Sequence, residues 1–473
     1  MKLNGREFTT KSGAEYVYLS DMNIVLSKNA IEAYPQRREL LSQIPGYKKT
    51  NEYYDCYREY TPEEIKLEIM KNGLCELAIE VTSACNFRCE YCVYSGKYEN
   101  QRLHDYQNMD VTTVFKAIDK YYELIEEGIE YNSDRTPVIS YYGGEPLVKF
   151  DLIKKCTEYA KEKFDNNILF TITTNGSLMN DDVIDFFVNE KFNVVVSIDG
   201  YKENHNRNRK DVKGNPTFDS VIENARKLFL KQGTPVFTSV VFDYDTDFVL
   251  MEKFFRDNDF LVCLSINSVN PYSTTYFDKY TVDSYDRFKA KLDILMKEFE
   301  LSVVDNEANP LAFMSRTFGD ICTSSFMRQC DISKKNNKII KHTGACVPGN
   351  KIFVDVNGDF YICEKVGRSI VIGNVEEGIN YEKCAQVVNR YNNLVVHKCR
   401  NCVIRNNCKR CYVSIDMDEN KINIPAESCK KQIEDYFADL SFAYSIFESN
   451  PKWIGRYFSE YYDAINDMMV MLR

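Results

Sequence analysis

From residue 77 to residue 267, short apolar runs take turns with longer stretches whose apolar positions recur every three or four residues. Six short runs read as strands: 77–81, 138–142, 168–173, 194–198, 236–241 and 261–266. Helical spacing lies between them, near 112–127, 151–165, 180–190, 217–232 and 246–257. Strands joined by helical crossovers imply a parallel sheet. Six such units predict an α/β fold, a partial (β/α)6 barrel left open. In such a sheet function gathers at the C-terminal strand ends, where the βα loops converge.

The flanking segments are patterned differently. Residues 1–76 hold strand-like runs at 15–19 and 23–26. A helix starts at Thr61-Pro62-Glu63-Glu64, with a capping hydroxyl, a first-turn proline and two acids. Residues 276–345 carry little periodicity. A helix near 283–300 and a polar stretch with Lys334, Lys335 and Lys338 predict a bridge beside the 77–275 barrel. In 346–430, alternation at 352–356 and 360–362 flanks Asn357-Gly358, a hairpin signature. Residues 431–473 predict two helices. Ile433, Phe437, Leu440, Tyr444 and Phe447 share one face of the first, which ends at Asn450-Pro451.

Composition narrows the class. The chain has 473 residues, 44% hydrophobic and 27% charged, as globular proteins do. A net charge of −10 argues against a nucleic-acid or anionic-membrane partner. No apolar run approaches the roughly 20 residues of a membrane span. Met1 to Glu7 form no signal segment, so a cytoplasmic location is expected.

The 17 cysteines change the picture. Clusters at C-x2-C spacing in a cytosolic chain point to metal rather than disulfides. Cys85, Cys89 and Cys92 directly follow the first barrel strand. Three thiolates this close can hold three corners of a cubic iron–sulfur cluster and leave one iron open to a ligand. A zinc knuckle satisfies the same spacing. Seven more cysteines follow in order: Cys346, Cys363, Cys399, Cys402, Cys408, Cys411 and Cys429. Of the others, Cys56, Cys75, Cys156, Cys263, Cys322, Cys330 and Cys384, most read as buried small apolar residues.

The Cys85–Cys92 run, with Tyr91 before its last cysteine, resembles the radical S-adenosylmethionine (SAM) signature. Gly143-Gly144-Glu145-Pro146, after the second strand, looks like the family's GGEP motif. That motif binds the methionine amino group, and paired glycines let backbone approach a ligand closely. The third strand ends in Thr173-Thr174-Asn175-Gly176 and the fourth in Ser197-Ile198-Asp199-Gly200. The family uses such positions for the ribose and carboxylate, which makes Thr173, Asn175, Ser197 and Asp199 candidate SAM contacts. Asn-Gly is also a common turn. Asp199-Gly200 with His205 and Arg209 is similar to the family's D-G…H-D…R run, but Asn206 stands where the aspartate would be. Arg209 reads either as a bidentate clamp on the SAM carboxylate or as a loop anchor. His205 reads as structural.

The later seven cysteines resemble the SPASM domain of peptide-modifying radical SAM enzymes, with two residues rather than three before Cys411. The resemblance implies two auxiliary [4Fe–4S] clusters, three in all. Cys346, Cys363 and Cys411 would hold the first, and Cys399, Cys402, Cys408 and Cys429 the second. Either Cys330 (less favourably Cys322) completes the first, or one iron stays open for substrate. The open site is the favoured reading, because Cys330 lies far upstream. Glu364 follows Cys363, where the related anaerobic sulfatase-maturating enzymes carry an acid that removes a substrate proton. It reads as such a base or as an exposed acid after a strand.

The run Cys89-Glu90-Tyr91-Cys92-Val93-Tyr94-Ser95-Gly96-Lys97-Tyr98, then Arg102 and His104, is similar to maturases of cysteine-rich peptides, including the thioether-forming ranthipeptide and sactipeptide enzymes. The resemblance implies an oxidoreductase that generates a 5′-deoxyadenosyl radical. It would link cysteine sulfur to a backbone or side-chain carbon in a ribosomally made, cysteine-rich precursor. The external reductant would be a flavodoxin or ferredoxin. Residues 1–76 would be a winged-helix-like module that binds the precursor's leader by strand addition, or else an extension packed on the barrel. The alternatives are formylglycine generation on sulfatases, peptide carbon–carbon cross-linking, and a non-catalytic iron–sulfur carrier or zinc scaffold. The GGEP-like loop and Ser197-x-Asp199 speak against the last, because a carrier needs no SAM pocket.

Overall fold

The computed structural model describes residues 5–20, 23–29, 58–99, 101–272, 274–305, 309, 311–327, 344–417 and 422–471. Cys56, Cys330 and the Lys334–Lys338 run lie outside the described residues.

Three strands, β1 (Gly5–Thr9), β2 (Glu15–Leu19) and β3 (Ile24–Ser27), form an antiparallel sheet. Helix α1 (Pro62–Asn72) follows. Thr61 and Glu64 cap it reciprocally, so the expected start signal acts as expected.

The central sheet contains β4 (Glu76–Thr82), β5 (Val138–Gly143), β6 (Leu169–Thr174), β7 (Asn193–Ser197), β8 (Val236–Phe242) and β9 (Leu261–Ser268). They lie side by side in chain order, all parallel. The crossovers are α2 (Val111–Gly128), α3 (Phe150–Lys163), α4 (Asp181–Asn189), the short α5 (Lys202–Asn208) with α6 (Phe218–Gln232), and α7 (Phe248–Asp257). Asp110 caps α2 and Asn180 caps α4. Strand alternation sets two faces. Leu77, Ile79, Val81, Ile139 and Tyr141 pack with Val114, Ile118 and Tyr121 of α2 in the main core. Glu76, Ala78, Glu80, Ser140 and Tyr142 take the opposite, inner face.

Two helices bridge onward, α8 (Val282–Val304) and α9 (Phe313–Phe326). Strand β10 (Lys351–Val354) then pairs parallel with β4, and β11 (Asp359–Tyr361) returns through the Asn357-Gly358 turn, with Gly358 at φ +88°. Strands β12 (Gly373–Asn374) and β13 (Gly378–Ile379) extend the same sheet. The barrel strands and the hairpin are therefore one ten-stranded sheet.

Helix α10 (Tyr381–Cys399), the pair β14 (Asp416–Met417) and β15 (Ile422–Asn423), and helices α11 (Ala426–Ser449) and α12 (Pro451–Met471) complete the order. The first three strands do not join the barrel. Phe8 and Tyr18 pack against Ile404, Phe437 and Leu440. Thr10, Ser12 and Tyr16 donate to Glu448. Among the described residues no helix is long and apolar enough to cross a membrane.

Candidate functional site

The loop after β4 carries Cys85, Cys89 and Cys92, all partly buried. Backbone bonds to the last residue of α5 and the segment after it hold it: Arg88 N to Lys210 O at 2.8 Å, Glu90 N to Asn208 O at 3.2 Å and Val212 N to Asn86 O at 3.1 Å. Burial raises the Cys85 pKa, and Glu145, Cys89 and Cys92 add to it. The three sulfurs are therefore within electrostatic reach of one another. The Arg209 guanidinium opposes the effect at Cys89 and Cys92.

The paired glycines allow a close approach of backbone to backbone. A Cβ on Gly143 would lie 2.2 Å from Thr82 O, and one on Gly144 2.3 Å from Ala84 O. They let the β5 turn lie against the end of β4, where Gly144 N and Glu145 N bond Thr82 O and Ala84 O, each at 2.9 Å. The Glu145 carboxylate accepts from Leu147 N at 3.0 Å, Thr174 Oγ1 at 2.7 Å and Asn175 N at 2.7 Å. It braces the ends of β5 and β6. Burial nevertheless pushes its pKa up to about 7. It is Thr174, not Thr173, that bonds this carboxylate; Thr173 is half-buried on the other face of β6. Asn175 donates to Asn86 Oδ1 at 2.8 Å and so reaches the cysteine loop.

Asp199 is occupied within the protein. Its Oδ1 accepts from Val241 N at 3.0 Å, and its Oδ2 from Tyr91 OH at 2.5 Å and Arg209 Nε at 2.9 Å. Arg209 is buried and lies over the Tyr91 ring, 5.4 Å from its centroid. The aromatic of the cysteine motif, the end of β7 and the downstream arginine thus form one unit. His205 is structural, as expected: it is fully buried, accepts from Asp199 N and contacts Thr217 Oγ1. Asn206 Oδ1 accepts from Thr217 N and Phe218 N, both at 3.0 Å. It meets the start of α6 with a neutral oxygen where an aspartate would bring a charged one. Ser197 is half-buried at the end of β7.

The other cysteines gather at the hairpin and beyond. Cys399 lies within electrostatic reach of Cys402, Cys408 and Cys429. Cys346 lies within reach of Cys411. Cys363 follows β11, and its neighbour Glu364 is an ion pair with Lys351 at 2.9 Å. Lys351 also pairs with Glu76 at 3.0 Å. Burial alone would raise the Glu364 pKa, but the Lys351 ammonium outweighs it and holds the carboxyl below its ordinary value. Glu364 is therefore not an exposed acid. Cys322 is wholly buried on α9. No disulfide joins the described cysteines, and among the described residues no group of His, Cys, Asp or Glu converges tightly enough for a single metal ion.

Tyr142 lies between these parts. Burial chiefly raises its pKa, with further contributions from Glu364, Cys92 and Cys363. The end of β5 thus lies within electrostatic reach of both the cysteine loop and the Cys363 turn. The motif residues beyond Cys92 turn inward as braces. Tyr94 OH donates to Glu80 Oε1 at 2.6 Å, and Tyr98 OH to Tyr91 O at 3.0 Å. Arg102 Nη1 donates to Glu364 O and Val366 O, both at 3.1 Å. His104 stacks on Tyr94 at 5.3 Å. Sequence reasoning missed Lys351, Glu80, Asn86 and Thr174. Thr174 alone carried a local signal, its place beside Thr173 at a strand end.

Residues 79–257 match the model of the Radical SAM superfamily. This stretch is a Radical SAM superfamily domain. Relatives extend further along the chain. The cysteine-type anaerobic sulfatase-maturating enzyme of Clostridium novyi (strain NT) is 25% identical over 385 residues, 76% of this chain and 94% of that protein. The radical SAM cyclopropyl synthase TigE of Paramaledivibacter caminithermalis is 22% identical over 368 residues, 76% of this chain and 70% of that one. The solved structure of native anSMEcpe with bound AdoMet and Cp18Cys peptide shares the fold, with TM-score 0.59 at 22% identity over 80% of this chain and 99% of that one. The Radical SAM domain implies a [4Fe–4S] cluster and SAM. The donor set after β4 fits them: three thiols free of disulfides, within electrostatic reach of one another and of Arg209.

Proposed function

We propose that this chain is a radical SAM peptide maturase that joins a cysteine sulfur to a carbon of a ribosomally made precursor. The observation that carries the reading is the position of Tyr142, within electrostatic reach of Cys92, Cys363 and Glu364 alike. In this reading the cysteine loop abstracts hydrogen and Glu364, paired with Lys351 in the free protein, is the base. The peptide is supported by the relatives, which include a sulfatase-maturating enzyme and, in anSMEcpe, a structure with bound peptide.

Cys85, Cys89 and Cys92 would hold the cluster that binds SAM. When bound, the pair supplies a carbon-centred radical that takes hydrogen from an unactivated carbon. Asp199 fixes Arg209 through Nε, so the rest of the guanidinium is steady beside the Cys89 thiol. Ser197 and Thr173 line the neighbouring strand ends, where a ribose would lie. Joining S–H to C–H removes two hydrogens. One leaves the carbon as an atom, the thiol gives its proton to Glu364, and one electron must be accepted. Cys346, Cys363 and Cys411, and the set Cys399, Cys402, Cys408 and Cys429, would hold auxiliary clusters that supply that acceptor. The β1–β3 sheet is the proposed leader-binding module, through strand addition. A flavodoxin or ferredoxin is the proposed electron donor.

Formylglycine generation is the second reading, favoured by the name of the Clostridium novyi relative. Mass spectrometry separates the two. The anaerobically reconstituted chain, given SAM, dithionite and a cysteine-rich peptide encoded beside its gene, should remove two hydrogens per link and consume one thiol each time. A carbon–carbon link removes two hydrogens but keeps the thiol, and formylglycine made from cysteine loses the sulfur. SAM cleavage with an unaltered peptide would overturn the reading. Glu364→Gln should slow linkage by about 10²- to 10⁴-fold while SAM cleavage continues.

A further inference from the structure

The first auxiliary thiolate set has three members, and one more sulfur stands beside it. Strand β4 pairs with β10 in the register Glu76↔Lys351. One step earlier Cys75 lies beside Asn350, four residues after Cys346. Cys75 N donates to Asn350 O at 2.8 Å, and Leu74 N to Gly349 O at 3.0 Å. The Cys75 Sγ reaches Asn350 Oδ1 at 3.5 Å and Asn72 O at 3.8 Å. The Asn350 side chain also hydrogen-bonds Cys346, so one amide touches both thiols. Cys346 in turn lies within electrostatic reach of Cys411 and of Cys75.

The chain is shaped to permit this approach. A Cβ on Gly73 would lie 2.9 Å from Gly349 O and 2.7 Å from Ile69 O. Only a residue without a side chain lets the segment before β4 lie flat on the Cys346 turn. Lys351 lies between Cys346 and Cys363 and within reach of both. Among the described residues the other unused thiols, Cys156, Cys263, Cys322 and Cys384, are wholly buried, whereas Cys75 and Cys346 are both exposed at the same sheet end.

We infer that Cys75 is the fourth protein ligand of the group held by Cys346, Cys363 and Cys411. The inference rests on the auxiliary-cluster reading above. Ligation would replace the thiol proton of Cys75 by iron and release that proton to solvent. The first auxiliary cluster would then be closed. No iron is left there for a substrate thiol, which makes Glu364 the group that deprotonates it.

The test uses the full-length chain carrying Cys85, Cys89 and Cys92→Ala, so that only auxiliary clusters remain. That parent should hold about eight iron and eight sulfide, and give no [3Fe–4S] electron paramagnetic resonance signal after mild ferricyanide oxidation. Adding Cys75→Ala should produce that signal or lower the iron to about four. Cys75→Ser, which keeps size and offers oxygen, should retain the iron but shift the reduction potential. Cys330→Ala should match the parent. The inference is overturned if Cys75→Ala matches the parent, or if Cys330→Ala alone produces the signal. A parent with no iron would instead defeat the auxiliary-cluster reading.

Discussion

Arg102 is wholly enclosed, lying over the Phe353 ring at 4.3 Å and the Tyr361 ring at 5.2 Å. Its Nε is 3.9 Å from Glu80 Oε2, and both residues are completely buried. Removing one member of such a pair strands the other charge in the interior. Arg102→Met should therefore destabilise by about 3–5 kcal/mol in anaerobic urea unfolding. The double variant Arg102→Met, Glu80→Gln should recover part of that loss; equal losses would show that the two charges do not cooperate. At this scale the sequence announced identities better than duties. Arg102 and His104 stood out by resemblance, yet the structure makes them internal braces. Glu80 gave no signal, because its partners come from residues 94 and 102 and are joined only through space. Glu145 and Asp199 were legible as strand-end acids, but their hydrogen bonds go largely to the protein's own N–H and O–H groups.

Among the elements, the parallel strands were readable because apolar runs were bounded by capped helices. The hairpin was readable from Asn357-Gly358. Helix α9 was not. Ala312 stands at its N-cap with no side-chain bond to the backbone, so the usual start signal is missing. Strand β1 was missed because its burial falls on Phe8 alone, with exposed neighbours. Helix α9 meets α12 at Gly319, where an added Cβ would come 2.4 Å from the Tyr457 ring. Alanine in an exposed helix normally stabilises relative to glycine. Here overlap outweighs propensity, and Gly319→Ala should cost about 1–3 kcal/mol. A rise in the thermal midpoint would show that the ring yields. On α11, burial chiefly raises the Asp439 carboxyl from 3.8 to about 6. Between those values the native state binds more proton than the unfolded state, so stability falls as pH rises through the window. Asp439→Asn should gain thermal midpoint over the natural chain as pH rises from about 4 to about 6, then hold its lead above that. A difference independent of pH would refute the assignment.

Across the whole molecule, the N-terminal sheet is fastened to the far end of the chain. Asn406 Nδ2 donates to Ser20 O at 2.7 Å, and Asn407 Nδ2 to Tyr18 OH at 2.8 Å. Those asparagines lie between Cys402 and Cys408. Deleting residues 1–29 should therefore strip hydrogen-exchange protection from α11 and the Cys402–Cys408 loop, while β5 to β8 keep theirs. Loss of protection across the barrel would contradict this division. No local pattern could have announced the fastening, because it joins positions nearly four hundred residues apart.

The pairing of β10 with β4 has a mechanical consequence. A joint between two lobes usually yields at a linker, but here the seam is a ladder of main-chain bonds. The lobe that would abstract hydrogen and the lobe that bears the later sulfurs must tilt together or tear that ladder. Guests of different shape would have to be accommodated by the crossover loops at the ends of the strands.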